Sequence, residues 1–249
     1  MKKKIKCIGS VTTLRWQELN RKEMEKYKDP ETSLVFINVQ KGTESIESSF
    51  DVAWAALFIL QEVLKAEKEG YDGVIITCFG DPALRAAKEA VKIPVVGSGE
   101  ASVTLALLLG HKFGIVTVGP PEAGAFLMDN LRMYELDHKC VGVKSMGIPV
   151  LDLKYGDQDE KRRLIEIGRE MIEQGADVLI LGCGGLLGIA EAAFRQLGVP
   201  IIIPLAAALK MCEAMISMGV AQSKKGFYPP AVKKRVSKVL KRKRVRKDN

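Results

Sequence analysis

Histidine is nearly missing: the 249 residues hold two. His111 follows Gly110, a helix-ending glycine, and His138 lies in the polar run Asp137-His138-Lys139, so both read as surface residues. A histidine-based triad or metal centre therefore lacks material. The five cysteines are odd in number and widely spaced, with no C-x-x-C, which excludes a disulfide framework and a zinc site. Reduced thiols fit the cytoplasm. Long apolar runs are also lacking. Ala101 to Leu109, interrupted by Ser102 and Thr104, is too short to cross a bilayer, and Met1-Lys2-Lys3-Lys4 leads into a short strand with no secretory h-region. The expected location is cytoplasmic, with no membrane partner. No phosphate-binding G-x-x-x-x-G-K-[ST] or G-x-G-x-x-G opens a helix, and Gly97-Ser98-Gly99 is too short a match. No cofactor and no metal are expected.

Charge is present but unevenly placed. The net charge is +8, yet residues 233–247 alone hold ten Lys or Arg, and removing the basic tail leaves the body at about −1. That tail reads as a solvated extension or a short docked helix using Val232, Val236, Val239 and Leu240. Nucleic acid or another polyanion could be met only through it. An apolar fraction of 47% gives the body an ordinary globular core.

The chain is internally duplicated. Gly70-Tyr71-Asp72-Gly73-Val74-Ile75-Ile76-Thr77-Cys78 matches Gly175-Ala176-Asp177-Val178-Leu179-Ile180-Leu181-Gly182-Cys183. After each cysteine come a glycine-containing loop, an Ala-rich helical stretch and a strand, Ile93 to Val96 or Val199 to Ile202. Each thiol thus lies past a buried strand and before a helix, where open α/β sheets place their ligands.

Strand and helix patterns alternate throughout. Strands are expected at 5–8, 34–39, 73–77, 93–96, 113–118, 139–143, 178–182 and 199–203. Helices are expected at 14–26, 49–69, 82–91, 100–109, 121–133, 158–174, 186–197 and 205–218. Asp81 and Pro82 read as N-cap and first helical residue, while Gly70, Gly110, Gly175, Gly198 and Gly219 end helices. The fold class is α/β, with two pseudo-symmetric Rossmann-like lobes, each a four-stranded parallel sheet flanked by helices, and an active site in the cleft between them. Lobe one takes 1–98 and 206–230 with Cys78, lobe two takes 99–205 with Cys183, and 231–249 is the basic tail.

Two thiols across a cleft are a symmetric pair of acid/base groups. Backbone N–H groups and a helix dipole would favour thiolate. The pair could take a proton from a carbon acid on one face and return one on the other, which is racemisation without a cofactor. Donors for the enolate oxygen are available in the backbone of Phe79-Gly80 and Gly184-Gly185. Cys7, Cys140 and Cys212 read as buried apolar filler.

At Cys78-Phe79-Gly80-Asp81-Pro82 and Leu181-Gly182-Cys183-Gly184-Gly185 the chain resembles the hydantoin racemase family of the aspartate/glutamate racemase superfamily. The match runs on through Gly42 to Ser48, Pro94 to Gly97, Gly114 to Thr117 and Leu197 to Pro200, over roughly residues 5–220. The resemblance implies Cys78 and Cys183 as the acid/base pair, acting on a cyclic ureide or related carbon acid. It places Phe79, Gly80, Thr117 and Gly184 at the substrate and makes a homo-oligomer the expected assembly; Gly185, as a backbone donor, and Ser10 join them as candidate substrate-binding residues. Other chemistries of the superfamily, decarboxylation or cis-trans isomerisation, are the alternative, as is a non-enzymatic ligand- or polyanion-binding protein. Phe79-Gly80 stands where amino-acid racemases carry a polar pair, which suits a flat neutral ring better than a zwitterion. The family's Asn-Pro-Asn after the first strand is replaced by Gly9-Ser10-Val11, so that side-chain amide is missing, and Ser10 or Thr12 would take its part.

Overall fold

The computed structural model describes residues 2–230. The basic tail and its expected helix or polyanion contact lie outside the described residues. Strands β1 (Lys3–Gly9), β2 (Thr32–Asn38), β3 (Gly73–Ile76) and β4 (Val95–Gly97) form one parallel sheet in the order β2-β1-β3-β4. Strands β5 (Phe113–Thr117), β6 (Cys140–Ser145), β7 (Val178–Leu181) and β8 (Ile201–Ile202) form a second in the equivalent order β6-β5-β7-β8. In each sheet the strand before the cysteine is central and wholly buried, as its run of branched apolar residues requires.

Helices α1 (Gln17–Tyr27), α2 (Ser49–Lys68), α3 (Leu84–Ala90), α4 (Ser98–Leu109), α5 (Ala123–Met133), α6 (Gln158–Glu173), α7 (Ala190–Leu197) and α8 (Pro204–Ser217) cover the sheets. Helices α4 and α8 pack on each other, and their Ala101, Ala106, Leu205 and Leu209 join Ile5 and Ile75 of the first sheet to Phe113 and Ile180 of the second. One core thus fuses the two halves. Among the described residues no helix is long and apolar enough to cross a membrane. The outer face of α2 exposes Phe50, Trp54, Leu57 and Leu64.

The duplicated aspartate is a clasp. Asp72 accepts the amide of Lys4 at 2.7 Å, and Asp177 accepts those of His111 and Lys112 at 2.8 and 2.9 Å, each tying a loop to the start of the neighbouring strand. Gly70, Gly175, Gly198 and Gly219 end helices with φ between +66° and +96°, a conformation that favours glycine. Gly110 ends α4 differently, extended at φ −164°, and is glycine because a Cβ there would meet Asp177 Cβ at 2.5 Å.

Three local expectations change. Asp81 does not cap the helix that follows it: α3 starts only at Leu84, after Ala83 at φ +63°. The turn carries the Asp81 carboxylate past the end of β4, where it accepts the first free amides of α4, Gly99 at 3.0 Å and Glu100 at 2.6 Å. Gly97 and Gly99 leave the room for it, which accounts for the Gly-Ser-Gly run. The helix expected at 186–197 begins as a 3-10 segment, Gly184–Ile189, before α7. Cys7 and Cys212 are buried filler, whereas Cys140 opens the edge strand β6 half-buried and donates its thiol to the Gly142 carbonyl at 3.2 Å.

Candidate active site

Each cysteine stands two residues past its central strand. The residue between is held alike in both halves, with the Thr77 amide donating to the Ile8 carbonyl at 3.0 Å and the Gly182 amide to that of Val116 at 2.7 Å. The two sulfurs therefore leave their sheets at equivalent points, and both line one cavity of about 100 Å³ between the sheets. Ser10, Phe79, Gly80, Thr117, Gly184 and Gly185 line the same cavity, whereas Thr12, the alternative to Ser10, does not. Its size, below the about 300–1,000 Å³ of pockets for drug-sized ligands, limits it to a small ligand.

The scaffolding around the sulfurs is specific. The Asn130 carboxamide donates to the Gly80 carbonyl at 2.8 Å and pins the loop after Cys78. The Thr117 hydroxyl donates to the Gly182 carbonyl at 3.2 Å. A Cβ on Gly182 would stand 2.8 Å from that of Thr117, which excludes larger residues before Cys183. Asp81 also accepts the Tyr134 hydroxyl at 2.9 Å.

Electrostatically the resting cleft differs from the expectation that helix dipoles would favour thiolates. Burial pushes the Cys78 thiol up to about 12, with Asp81 and Cys183 adding to the rise and the Gly80 amide opposing it. Burial likewise raises Cys183 to about 11, with Glu47 adding and the Gly185 amide, 3.4 Å from the sulfur, opposing. Desolvation wins because no α-helix begins at either sulfur: α3 starts six residues after Cys78, and a 3-10 segment follows Cys183. Both thiols are neutral in the free cleft at pH 7. Burial also raises Asp81, to about 7, against the hydrogen bonds it accepts.

Several lining residues were not found from sequence: Trp16, Gln17 and Asn20 at the start of α1, Asn38 at the end of β2, and Phe126 and Leu127 on α5. Asn38 brings a side-chain amide to this end of the cleft from β2, while the family's asparagines after the first strand remain missing. It is the register partner of Gly9, and its carboxamide fills the space a side chain at Gly9 would need. Its Nδ2 donates to the Thr13 carbonyl at 2.5 Å, and its Oδ1 accepts from Gln17 at 3.3 Å. Thr12 instead donates to the Thr43 carbonyl at 3.2 Å, while Ser10 lines the cavity. A polar residue closing the apolar run Leu34 to Ile37 was the available signal for Asn38; nothing local marked Trp16 or Asn20. Among the described lining residues Glu44 is the one charged side chain.

Comparison with known proteins supplies relatives for this arrangement. The sequence profile described as Asp/Glu/Hydantoin racemase matches residues 5–212. A hydantoin racemase of Pseudomonas sp. (strain NS671) is 32% identical over 232 residues, 93% of each chain. Another from Rhizobium meliloti is 35% identical over 74% of this chain and 76% of its own. Among solved structures, an allantoin racemase from Klebsiella pneumoniae superposes with a TM-score of 0.89 at 32% identity, over 95% of this chain and 97% of the other.

Proposed function

The chain belongs to the Asp/Glu/hydantoin racemase family, and from that premise we propose that it racemises a 5-substituted hydantoin or allantoin by two-base proton transfer between Cys78 and Cys183. The observation that carries the reading is the pair of thiols at equivalent strand ends, lining one small cavity. One cysteine, as thiolate, removes the proton from the stereogenic carbon. The other, as thiol, gives its proton to the opposite face, so the two exchange protonation states with each turnover. The backbone of Phe79-Gly80 and Gly184-Gly185 supports the enolate oxygen. Ser10 and Thr117 flank the ring.

The lining favours a neutral substrate. No lysine, arginine or histidine among the described lining residues is available to hold an amino acid's carboxylate. A cyclic ureide presents only amide groups and an acidic C–H, so it enters a largely apolar cleft without a cationic side chain among its described lining at less desolvation cost than a zwitterion. The raised thiols fit such a carbon acid: a thiolate generated in a dry site is a strong base. They also make kcat/KM rise with pH between 7 and 9, close to tenfold per unit, because the active form is the scarce thiolate.

The test is proton NMR in D2O with single enantiomers of 5-substituted hydantoins and of allantoin. Deuterium entering the stereocentre with loss of optical rotation is the expected result, and the loss of rotation is abolished in Cys78→Ala and Cys183→Ala. Unchanged racemisation in either variant would overturn the two-thiol assignment, and no exchange on any substrate would overturn the substrate class.

A further inference from the structure

Among the described residues four buried side-chain polar atoms have no partner: Ser10 Oγ, Trp16 Nε1, Asn20 Oδ1 and Thr32 Oγ1. Three of these residues line the cleft cavity, while Thr32 opens β2 at the far end of its strand, opposite Lys3. Buried donors and acceptors are nearly always paired, so a cluster of orphans around one cavity points to a ligand that completes them. Ser10 is already accounted for by the strand-end position. Trp16 and Asn20 are not.

The two stand one helical turn apart. The Asn20 amide donates to the Trp16 carbonyl at 2.9 Å, which puts both side chains on one face of α1's first turn. That face meets the loop after Cys183. A Cβ on Gly184 would lie 3.2 Å from Asn20 Oδ1, and a Cβ on Gly185 would lie 3.7 Å from both Trp16 Cη2 and Cys183 Sγ. The pair is held there by Arg15, whose guanidinium donates to the Leu151 and Leu153 carbonyls at 2.5 and 2.7 Å and covers the Trp16 ring at 5.0 Å. A helix start from the first half is thus clamped over the second cysteine.

We propose that Trp16 and Asn20 are substrate-binding residues that select an amide-bearing ring, an inference that rests on the racemase reading of this cavity. An indole N–H can only donate, so Trp16 takes a ligand carbonyl; the Asn20 oxygen can only accept, so it takes a ligand N–H. Carbonyl and N–H side by side are the edge of an amide or ureide. The pair lies beside Cys183; its counterpart beside Cys78 is Phe126, which has no N–H to donate, and Asn130, whose carboxamide is already bonded to the Gly80 carbonyl, so the unpaired donor and acceptor on one side fix which way round the ring sits between the thiols.

Trp16→Phe keeps an aromatic ring and removes the donor; Asn20→Leu keeps the branched shape and removes the acceptor. Hydantoin racemisation is followed in both and in wild type, with calorimetric binding of the same hydantoin and thermal melts as controls for folding. The expected result is a KM about tenfold higher in each, the loss of one hydrogen bond, with melting unchanged or raised. N-methylation of one ring nitrogen should cost wild type a similar factor, and Asn20→Leu should abolish that penalty. Wild-type KM in both variants, or an N-methyl penalty untouched by Asn20→Leu, overturns the inference. If wild type racemises no hydantoin, the proposed substrate class falls by itself. Calorimetry then decides the inference: hydantoin binding weakened in both variants supports it, and binding unchanged by either, or no binding to wild type, refutes it.

Discussion

In the first half of the molecule the strand beside Cys78 ends in Gly9, and its neighbour β2 supplies the Asn38 carboxamide that fills the gap. In the second half the position equivalent to Gly9 is Thr117, and the glycine is on the other side, at Gly182, where Thr77 stands in the first half. The third residue after the cysteine also differs: Asp81, whose carboxyl is raised to about 7, against the buried Leu186. Strand order and the height of each sulfur are common to both halves, while the side chains around the sulfurs are not. A chiral substrate has two unlike faces, so a two-base site needs its bases matched in position and its surroundings unmatched. On the proposed two-base reading, duplication provides the first, and divergence at 9, 38, 81, 117 and 182 provides the second.

That comparison can be broken at several points. The largest effect is on the proposed bases: Cys78→Ala and Cys183→Ala each lower racemisation by about 10³-fold or more, and the double variant loses no more than either single, because in the proposed mechanism both residues serve one proton relay. Additive losses in steady-state kinetics would mean that the halves act independently. Next come the two tight glycines. Gly9→Ala and Gly182→Ala each cost about 1–3 kcal/mol in denaturant unfolding through overpacking. The loss is recovered only by shrinking the matched neighbour, Asn38→Gly for the first and Thr117→Gly for the second. Cross-pairing the compensations restores nothing if the steric exchange is as described.

Asp81→Asn removes a negative charge that raises Cys78 and leaves Cys183 alone, so the limb of the pH–rate profile set by Cys78 moves to lower pH. The same carboxyl has a stability signature. Between about pH 4 and 7 the unfolded chain has lost this proton and the folded chain keeps it, so Asp81 makes stability fall as pH rises across that window. Denaturant titrations of Asp81→Asn lack that slope. The smallest effect is alkaline: burial raises Cys7, Cys212 and both cleft thiols, so unfolded thiols ionise first and stability falls as pH rises above about 8.5. Replacing Cys212 with Ala flattens that decline slightly, measured by thermal melts at pH 8 to 10.

What the sequence revealed was what local pattern controls. The Gly-x-Asp-apolar-Cys repeat exposed both central strands and the equivalence of Cys78 and Cys183, because a buried parallel strand and the turn after it are written in consecutive residues. Four of the five helix-ending glycines took the left-handed conformation for the same reason. Asp81 was assigned to the wrong helix because the choice between two sets of free amides depends on where β4 ends, not on the residues next to Asp81. Asn38, Trp16 and Asn20 escaped because their approach to the cysteines is set by strand pairing and by the Arg15 clamp, across more than a hundred residues in the latter case. The protonation of the thiols also followed from burial, a tertiary quantity, rather than from their place in the sequence.

The central claim is that each cysteine serves one face of the substrate. The most direct measurement is deuterium exchange in Cys78→Ser and Cys183→Ser, each offered the separate enantiomers of one hydantoin in D2O. Each variant should exchange one enantiomer without racemising it, and the two variants should choose opposite enantiomers. A shared preference, or continued racemisation in either variant, would contradict the account.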